Sequence, residues 1–289
     1  MSDQPSPRQT ADSAAAREAR NAPTGRAKFF VWLALLATLA LLTANVWLLA
    51  RSLQSQRASS REHAFWILCQ PGSPAVAREQ AFRQLVAEGN KEWRSADLHE
   101  LNFSGISLVG ADLRAGTFVR ASFVGANLSR AQFCNSTLEQ ADLANADLQA
   151  ADLSETLLLR ANLKKATLRR AKLRAASIEQ AQAENVDLML ADMSDATCLM
   201  ANLTGARLDG ANLSGATLES AILNNATLTL TRLDGAVLKH AEFNNANWWR
   251  ALGLPMDQIQ LLKQKFPPTA DADPALKQDY AKWLTEAGN

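Results

Sequence analysis

The chain has little of what most active sites are built from. Its 289 residues include three cysteines, three histidines and one tyrosine. Cys69, Cys134 and Cys198 are odd in number and show no paired spacing, which argues against a disulfide framework and a cysteine-based metal site. His63, His99 and His240 stand alone, no serine or cysteine sits in a nucleophile motif, and no Gly-rich phosphate loop occurs. The expectation is a protein that is not an enzyme and uses no cofactor or metal. Residues 1–28 lack Leu, Ile, Val and every aromatic residue, so they cannot bury a core and are expected to form a disordered tail. Two further absences shape the rest: charge is missing from residues 29–50, and proline is missing between Pro74 and Pro255.

What fills most of the proline-free stretch is a period of five. Residues 96–250 read as 31 consecutive five-residue units without insertion or deletion. The third position, from Leu98 to Trp248, holds 21 Leu and five Phe, with one each of Ile, Ala, Met, Cys and Trp; the first position is Ala in 24 units of 31. Between them stands mostly Asp, Asn, Ser or Thr, as in Ala141-Asp142-Leu143 and Ala146-Asp147-Leu148. On an α-helix this spacing winds the leucines around every side, and on a strand it alternates faces. A backbone that bends by about a quarter turn every five residues instead points both apolar positions inward, and such square coils must stack into a solenoid. Ala recurs because two inward residues from each of four sides share a narrow interior. Gly at the last position, as in Gly105, Gly110 and Gly215, suits a sharp corner, and the lack of proline leaves the stacking hydrogen bonds uninterrupted.

At these residues the chain resembles the pentapeptide-repeat family, whose pattern is Ala-(Asp/Asn)-Leu-x-x. The resemblance implies an all-β solenoid, a right-handed quadrilateral β-helix with four units per coil and therefore nearly eight coils. At about 4.8 Å per coil its length is on the order of 37 Å. Gly116 and Ala183 depart from the pattern by leaving room in the core, whereas Leu101, Ile106 and Val186 place bulk where Ala is usual.

Residues 29–50, FFVWLALLATLALLTANVWLLA, contain only Thr38, Thr43 and Asn45 as polar interruptions. As a helix they extend about 33 Å, enough for a bilayer. Trp32 and Trp47 lie near the two ends, where indole rings favour the interface, and charge resumes at Lys28 and Arg51. The run is too long for an ordinary signal-peptide core, so the expectation is an uncleaved single-pass transmembrane helix. Arg17, Arg20, Arg26 and Lys28 precede it and Arg51, Arg57 and Arg61 follow, which orients the N-terminus toward the cytoplasm and the solenoid to the periplasmic or other extracytoplasmic side.

Residues 51–61 read as a polar linker and residues 62–95 as a helical N-terminal cap. In that cap Ser73 serves as helix cap, Pro74 takes the first position, Gly89 ends the helix, and Val76, Phe82, Leu85 and Val86 form an apolar stripe. Residues 251–289 read as a helical C-terminal cap: a first helix carries Ile259, Leu262 and Phe266, and a second begins at an Asp273 cap before Pro274, carries Leu276, Tyr280, Trp283, Leu284 and Ala287, and closes at Gly288. Both caps cover coil ends that otherwise expose leucines and unpaired backbone groups. The aromatic C-terminal end offers an alternative use as a homodimer surface.

Recognition is expected at the last two positions of each unit, which face outward. One coil, residues 156–175, carries Arg160, Lys164, Lys165, Arg169, Arg170, Lys172 and Arg174 and no acid; the preceding coil carries Glu139, Asp142, Asp147, Asp152 and Glu155. The seven cations are the candidate partner-binding residues, with the apolar Leu157 and Leu159 beside them. The competing reading pairs them with the acidic coil, Asp152 with Lys172 being the direct stack. Asp142, Asp147 and Asp152 occupy successive sides of one coil, so they read as structural members of the repeat and not as a carboxylate cluster. The functional expectation is a membrane-anchored, non-enzymatic scaffold or protein-binding rod whose partner is a protein. The resemblance also implies an alternative, a DNA mimic that binds a type II topoisomerase if the solenoid is cytoplasmic. Against it, residues 96–250 hold 17 acidic and 14 basic residues, far from the charge density of a duplex. No nucleic-acid partner is expected.

Overall fold

The computed structural model describes residues 25–70 and 72–286, with the side chains at 25–31, 34, 37, 57 and 59 outside the described part. Most of the expected N-terminal tail, together with Ala287 and Gly288, therefore lies outside the described residues. The chain divides into two compact units, Met1–Glu62 and His63–Asn289.

In the first unit the described element is helix α1, Gly25–Cys69, whose last turns belong to the second unit. Residues 51–61 continue this helix; they contain neither Gly nor Pro, and their Leu, Gln and Arg residues favour helical backbone. Among the described residues no helix is long and apolar enough to cross a membrane.

The second unit is a solenoid with a helical segment at each end. Its backbone pairs in parallel with a register of 20 residues, so four five-residue units complete one coil: Asp97 pairs with Thr117, Asn102 with Ser122, Ser107 with Asn127 and Asp112 with Gln132. From Asp112 to Glu242, each second-position residue bonds both neighbours of the residue 20 before it. Thr117 N–H donates to the Ala96 carbonyl (2.9 Å), and the Thr117 carbonyl accepts from Leu98 N–H (2.8 Å). This places first and third positions inside; from Ala111 to Leu228 every residue at those positions is buried. Where a hydroxyl replaces Ala, it is satisfied within the core: Ser136 Oγ and Thr156 Oγ1 both donate to the Phe133 carbonyl (2.6 and 2.9 Å), and Thr231 Oγ1 donates to the Leu208 carbonyl (2.8 Å).

The corners are β-turns. Ala141 N–H donates to the Leu138 carbonyl at 3.0 Å, and the residue between them at the fifth position, Gln140, is left-handed at φ 57°. The same φ recurs at glycine corners such as Gly105 (66°) and at many without glycine, including Ala150 (57°) and Arg160 (55°). Gly116 does not leave room in the core: the Phe118 ring stands 2.6 Å from where a Cβ would be, so the missing side chain is filled by a larger neighbour.

At the N-terminal end α2, Ala75–Ala87, presses Phe82 and Leu85 onto the first coil, Phe82 meeting Trp93 (4.1 Å between ring centroids) and Phe103 (4.6 Å). Ser73 does not cap this helix; Pro74 takes that place, with no side-chain capping bond, and Val76 faces solvent. At the C-terminal end the chain passes a short 3-10 turn, Trp248–Arg250, then α3 (Met256–Lys265) and α4 (Pro274–Glu286). Asp273 caps α4 as expected, its Oδ1 accepting the Ala275 N–H at 2.7 Å.

Candidate interaction surface

The second-position carboxylates and amides are committed to the corners. Asp142 Oδ1 accepts the Ala144 N–H (3.0 Å), Asp147 Oδ1 the Gln149 N–H (3.0 Å) and Asp152 Oδ1 the Ser154 N–H (3.1 Å), the side chain thus bonding a backbone group two residues on. Asn162, Asp187, Asp192, Asn202 and Asn212 repeat this bond. The type preference at this position therefore has a local cause: each Asp or Asn holds the turn that follows it. These residues are not gathered into a cluster, and among the described residues no group of three or more His, Cys, Asp or Glu is arranged to hold a metal ion.

The outward fourth and fifth positions stack in columns at the 20-residue register and make the surface available to a partner. All seven cations of the 156–175 coil lie there or at the second position, spread over the four sides of the coil. Lys172 Nζ approaches Asp152 Oδ2 at 3.8 Å, the expected stack with the preceding coil. The other ion pairs run the opposite way, to the following coil: Lys164 with Glu184 (3.4 Å), Arg169 with Asp187 (3.9 Å) and Arg174 with Asp195 (3.9 Å). Arg160 Nε donates to Gln180 Oε1 at 2.9 Å. Lys165 and Arg170 are exposed and form no ion pair among the described residues. These two cations occupy the corners at either edge of one side of the coil, residues 166–170, and Arg169 lies between them. One coil further, Met189 follows Arg169 and Leu190 follows Arg170, with Leu190 exposed. Leu157 is exposed on a different side, and Leu159 is half-buried. The cations are legible in the sequence; the apolar neighbour at Leu190 follows from the 20-residue register.

Elsewhere the charged and reactive groups serve the fold. Asp112 receives Arg114 through Nε (2.8 Å) and Nη2 (2.6 Å), with Arg94 at 3.4 Å, and the bonded guanidinium holds its carboxyl down to about 2. Asp279 takes bonds from Arg250 and from Trp249 Nε1 (2.8 Å), and the Arg250 bond lowers its carboxyl below the usual range. Burial pushes the Cys198 thiol up to about 12 and so keeps it inert. The C-terminal aromatics pack on their own last coil: the Trp248 ring is edge-on to Trp249 (5.7 Å), and Tyr280 and Trp283 stack at 5.7 Å beside them.

With this geometry in place, comparison with known proteins assigns the fold. The family profile described as pentapeptide repeats matches residues 96–140, 141–180, 171–210 and 211–247, more than half of the chain. The chain belongs to the pentapeptide-repeat family. Solved pentapeptide-repeat structures are similar to it. HetL, involved in heterocyst differentiation regulation in the cyanobacterium Nostoc sp. strain PCC 7120, is 27% identical over 58% of this chain and 95% of its own, with a TM-score of 0.27. A second pentapeptide-repeat protein of Nostoc PCC 7120 is 30% identical over 34% of this chain and 78% of its own (TM-score 0.31). Full-length QnrB1, a plasmid-mediated fluoroquinolone resistance protein, is 18% identical over 59% of this chain and 99% of its own (TM-score 0.22). A search of curated proteins gave no match.

Proposed function

We propose that this pentapeptide-repeat chain is a non-enzymatic scaffold: a rod of nearly eight right-handed coils that docks a protein partner on its outward columns and is tethered to a membrane through residues 29–50. The observation that carries the binding role is the division of labour among the five positions. Two fill the core, one holds the corner, and only the last two are left to vary, so the rod is a rigid frame for displayed side chains. The anionic-partner surface is the side bearing Lys165, Arg169 and Arg170, where two cations without an ion pair among the described residues, Lys165 and Arg170, flank Arg169, and exposed Leu190 follows Arg170 one coil on.

The tether is supported by the 22 uncharged residues, by the indoles near their ends, and by the cation–π contact of Arg51 over Trp47 at 5.2 Å, which suits an interfacial position. The four-to-three excess of basic residues before the run supports an orientation with the rod outside the cytoplasm. Reporter fusions after residue 289 test this reading: alkaline phosphatase is expected to be active and a cytoplasm-only fluorescent reporter dark. The reverse pair of results overturns the orientation.

A further inference from the structure

The uncharged run holds three polar side chains, and they are not equivalent. Thr38 Oγ1 donates to the Leu35 carbonyl at 2.8 Å and Thr43 Oγ1 to the Ala40 carbonyl at 2.9 Å, so both hydroxyls are satisfied within their own helix. The Asn45 amide has no hydrogen-bond partner among the described residues and is exposed. An amide carries two donors and an acceptor. In hydrocarbon, where no water replaces the missing partner, that group calls for a polar group from another helix.

The direction in which Asn45 points adds a second, independent observation. At about 100° per residue, Trp47 lies roughly 200° around the helix from Asn45, and Trp32 roughly 140°. Both indoles, and Arg51 stacked on Trp47, therefore occupy the side opposite Asn45. Indoles and arginines anchored at an interface face lipid, which leaves the Asn45 side to face protein. On that side Thr38, Leu41 and Leu48 lie seven, four and three residues from Asn45, all exposed, the spacing of a two-helix seam with a single asparagine at its centre.

We propose that α1 pairs in parallel with α1 of a second copy of this chain, through a seam of Thr38, Leu41, Asn45 and Leu48 in which the two Asn45 amides bond each other. A second copy is the occupant because an amide complements itself, and because two chains inserted with the same orientation bring Asn45 to the same depth, where each supplies the acceptor the other lacks. The inference rests on the membrane tether proposed above.

Sedimentation equilibrium of the full chain in zwitterionic detergent micelles tests it. The wild type is expected to be a dimer, Asn45→Leu to dissociate about tenfold more readily, Asn45→Gln to remain dimeric, and Thr43→Val, on the far side of α1, to match the wild type. A monomeric wild type overturns the pairing. So does an Asn45→Leu dimer as tight as the wild type, which moves the contact elsewhere, the C-terminal end included. Alkaline carbonate extraction of membranes holding the same variants separates the two claims. Chains that stay in the membrane yet are monomeric contradict the seam alone, whereas chains released into the supernatant contradict the tether and the seam with it.

Discussion

Glu79 on α2 accepts the backbone N–H of Asn102 in the first coil, Oε1 to N 2.9 Å, supplying the acceptor that backbone carbonyls supply to the second-position residues from Asp112 to Glu242. Arg83 donates to the Asn102 carbonyl (3.0 Å) and Arg78 to the Asp97 carbonyl (2.5 Å), so three side chains of one helix stand in for a missing strand. The cap thus terminates the hydrogen-bond ladder as well as covering apolar surface.

Removing the polar part of that cap is expected to be costly in two ways. Glu79→Ala with Arg83→Ala should lower stability by about 1–2 kcal/mol and expose the first coil to edge pairing. Phe82→Ala, which empties the contact with Phe103, should cost about 3–5 kcal/mol. Thermal melting with simultaneous light scattering reads both effects. An unchanged midpoint and no added scattering for the double variant would mean that water replaces these bonds without loss.

The corners supply a sharper contrast. Ala150 is left-handed at φ 57° and exposed, while the next residue, Ala151, is fully buried. A Cβ is strained in the left-handed region by about 1–2 kcal/mol, which exceeds the entropy that glycine loses on folding. Ala150→Gly should therefore stabilise the rod by several tenths of a kcal/mol up to about 1, and Ala151→Gly should destabilise it. Chemical denaturation of the two variants checks the signs, and a loss of stability at Ala150→Gly contradicts the argument.

Much of this architecture could be read from residues 96–250: the period of five, the inward Ala and Leu columns, the need for caps and the Asp273 start of α4 are properties of local pattern. Three things were not legible, for a common reason. Glu79, Arg78 and Arg83 reach residues 19–23 positions away, the basic coil pairs mainly with the following coil, and Phe118 fills the gap at Gly116. Each depends on how side chains lean along the rod axis, which the identity of a residue and its spacing leave open. The role of Asp142 and its counterparts was half legible. Their position marked them as structural, but the corner bond to the N–H two residues on needs the turn geometry itself.

Acid should act on Asp112 in a defined window. Arg114 holds its carboxyl at about 2, below the ordinary 3.8, so the unfolded chain takes up the proton first. The stabilisation is complete above the unfolded value, near pH 4, and is lost as pH falls through about 2. The difference in stability between wild type and Asp112→Asn, no more than about 2 kcal/mol, should be constant from about pH 7 to 5 and shrink below about pH 4. A difference that stays constant down to the acid transition would show that the Arg114 contact makes no ionic contribution.

Lys165 and Arg170 separate binding from stability because neither is engaged in an ion pair among the described residues. Lys165→Gln with Arg170→Gln should leave melting within about 0.5 kcal/mol of wild type while weakening retention on an anionic matrix, more so at low salt than at high salt. Arg169→Gln, which also gives up Asp187, should affect both. Equal loss of stability and retention in the first pair would make the coil structural.

The tethered scaffold is tested most directly by alkaline carbonate extraction of membranes from cells expressing the full chain beside a chain lacking residues 29–50. The account predicts that the full chain stays with the membrane pellet, while the shortened chain appears in the supernatant with the circular dichroism of an intact β solenoid. Full-length chain released into the supernatant would contradict it.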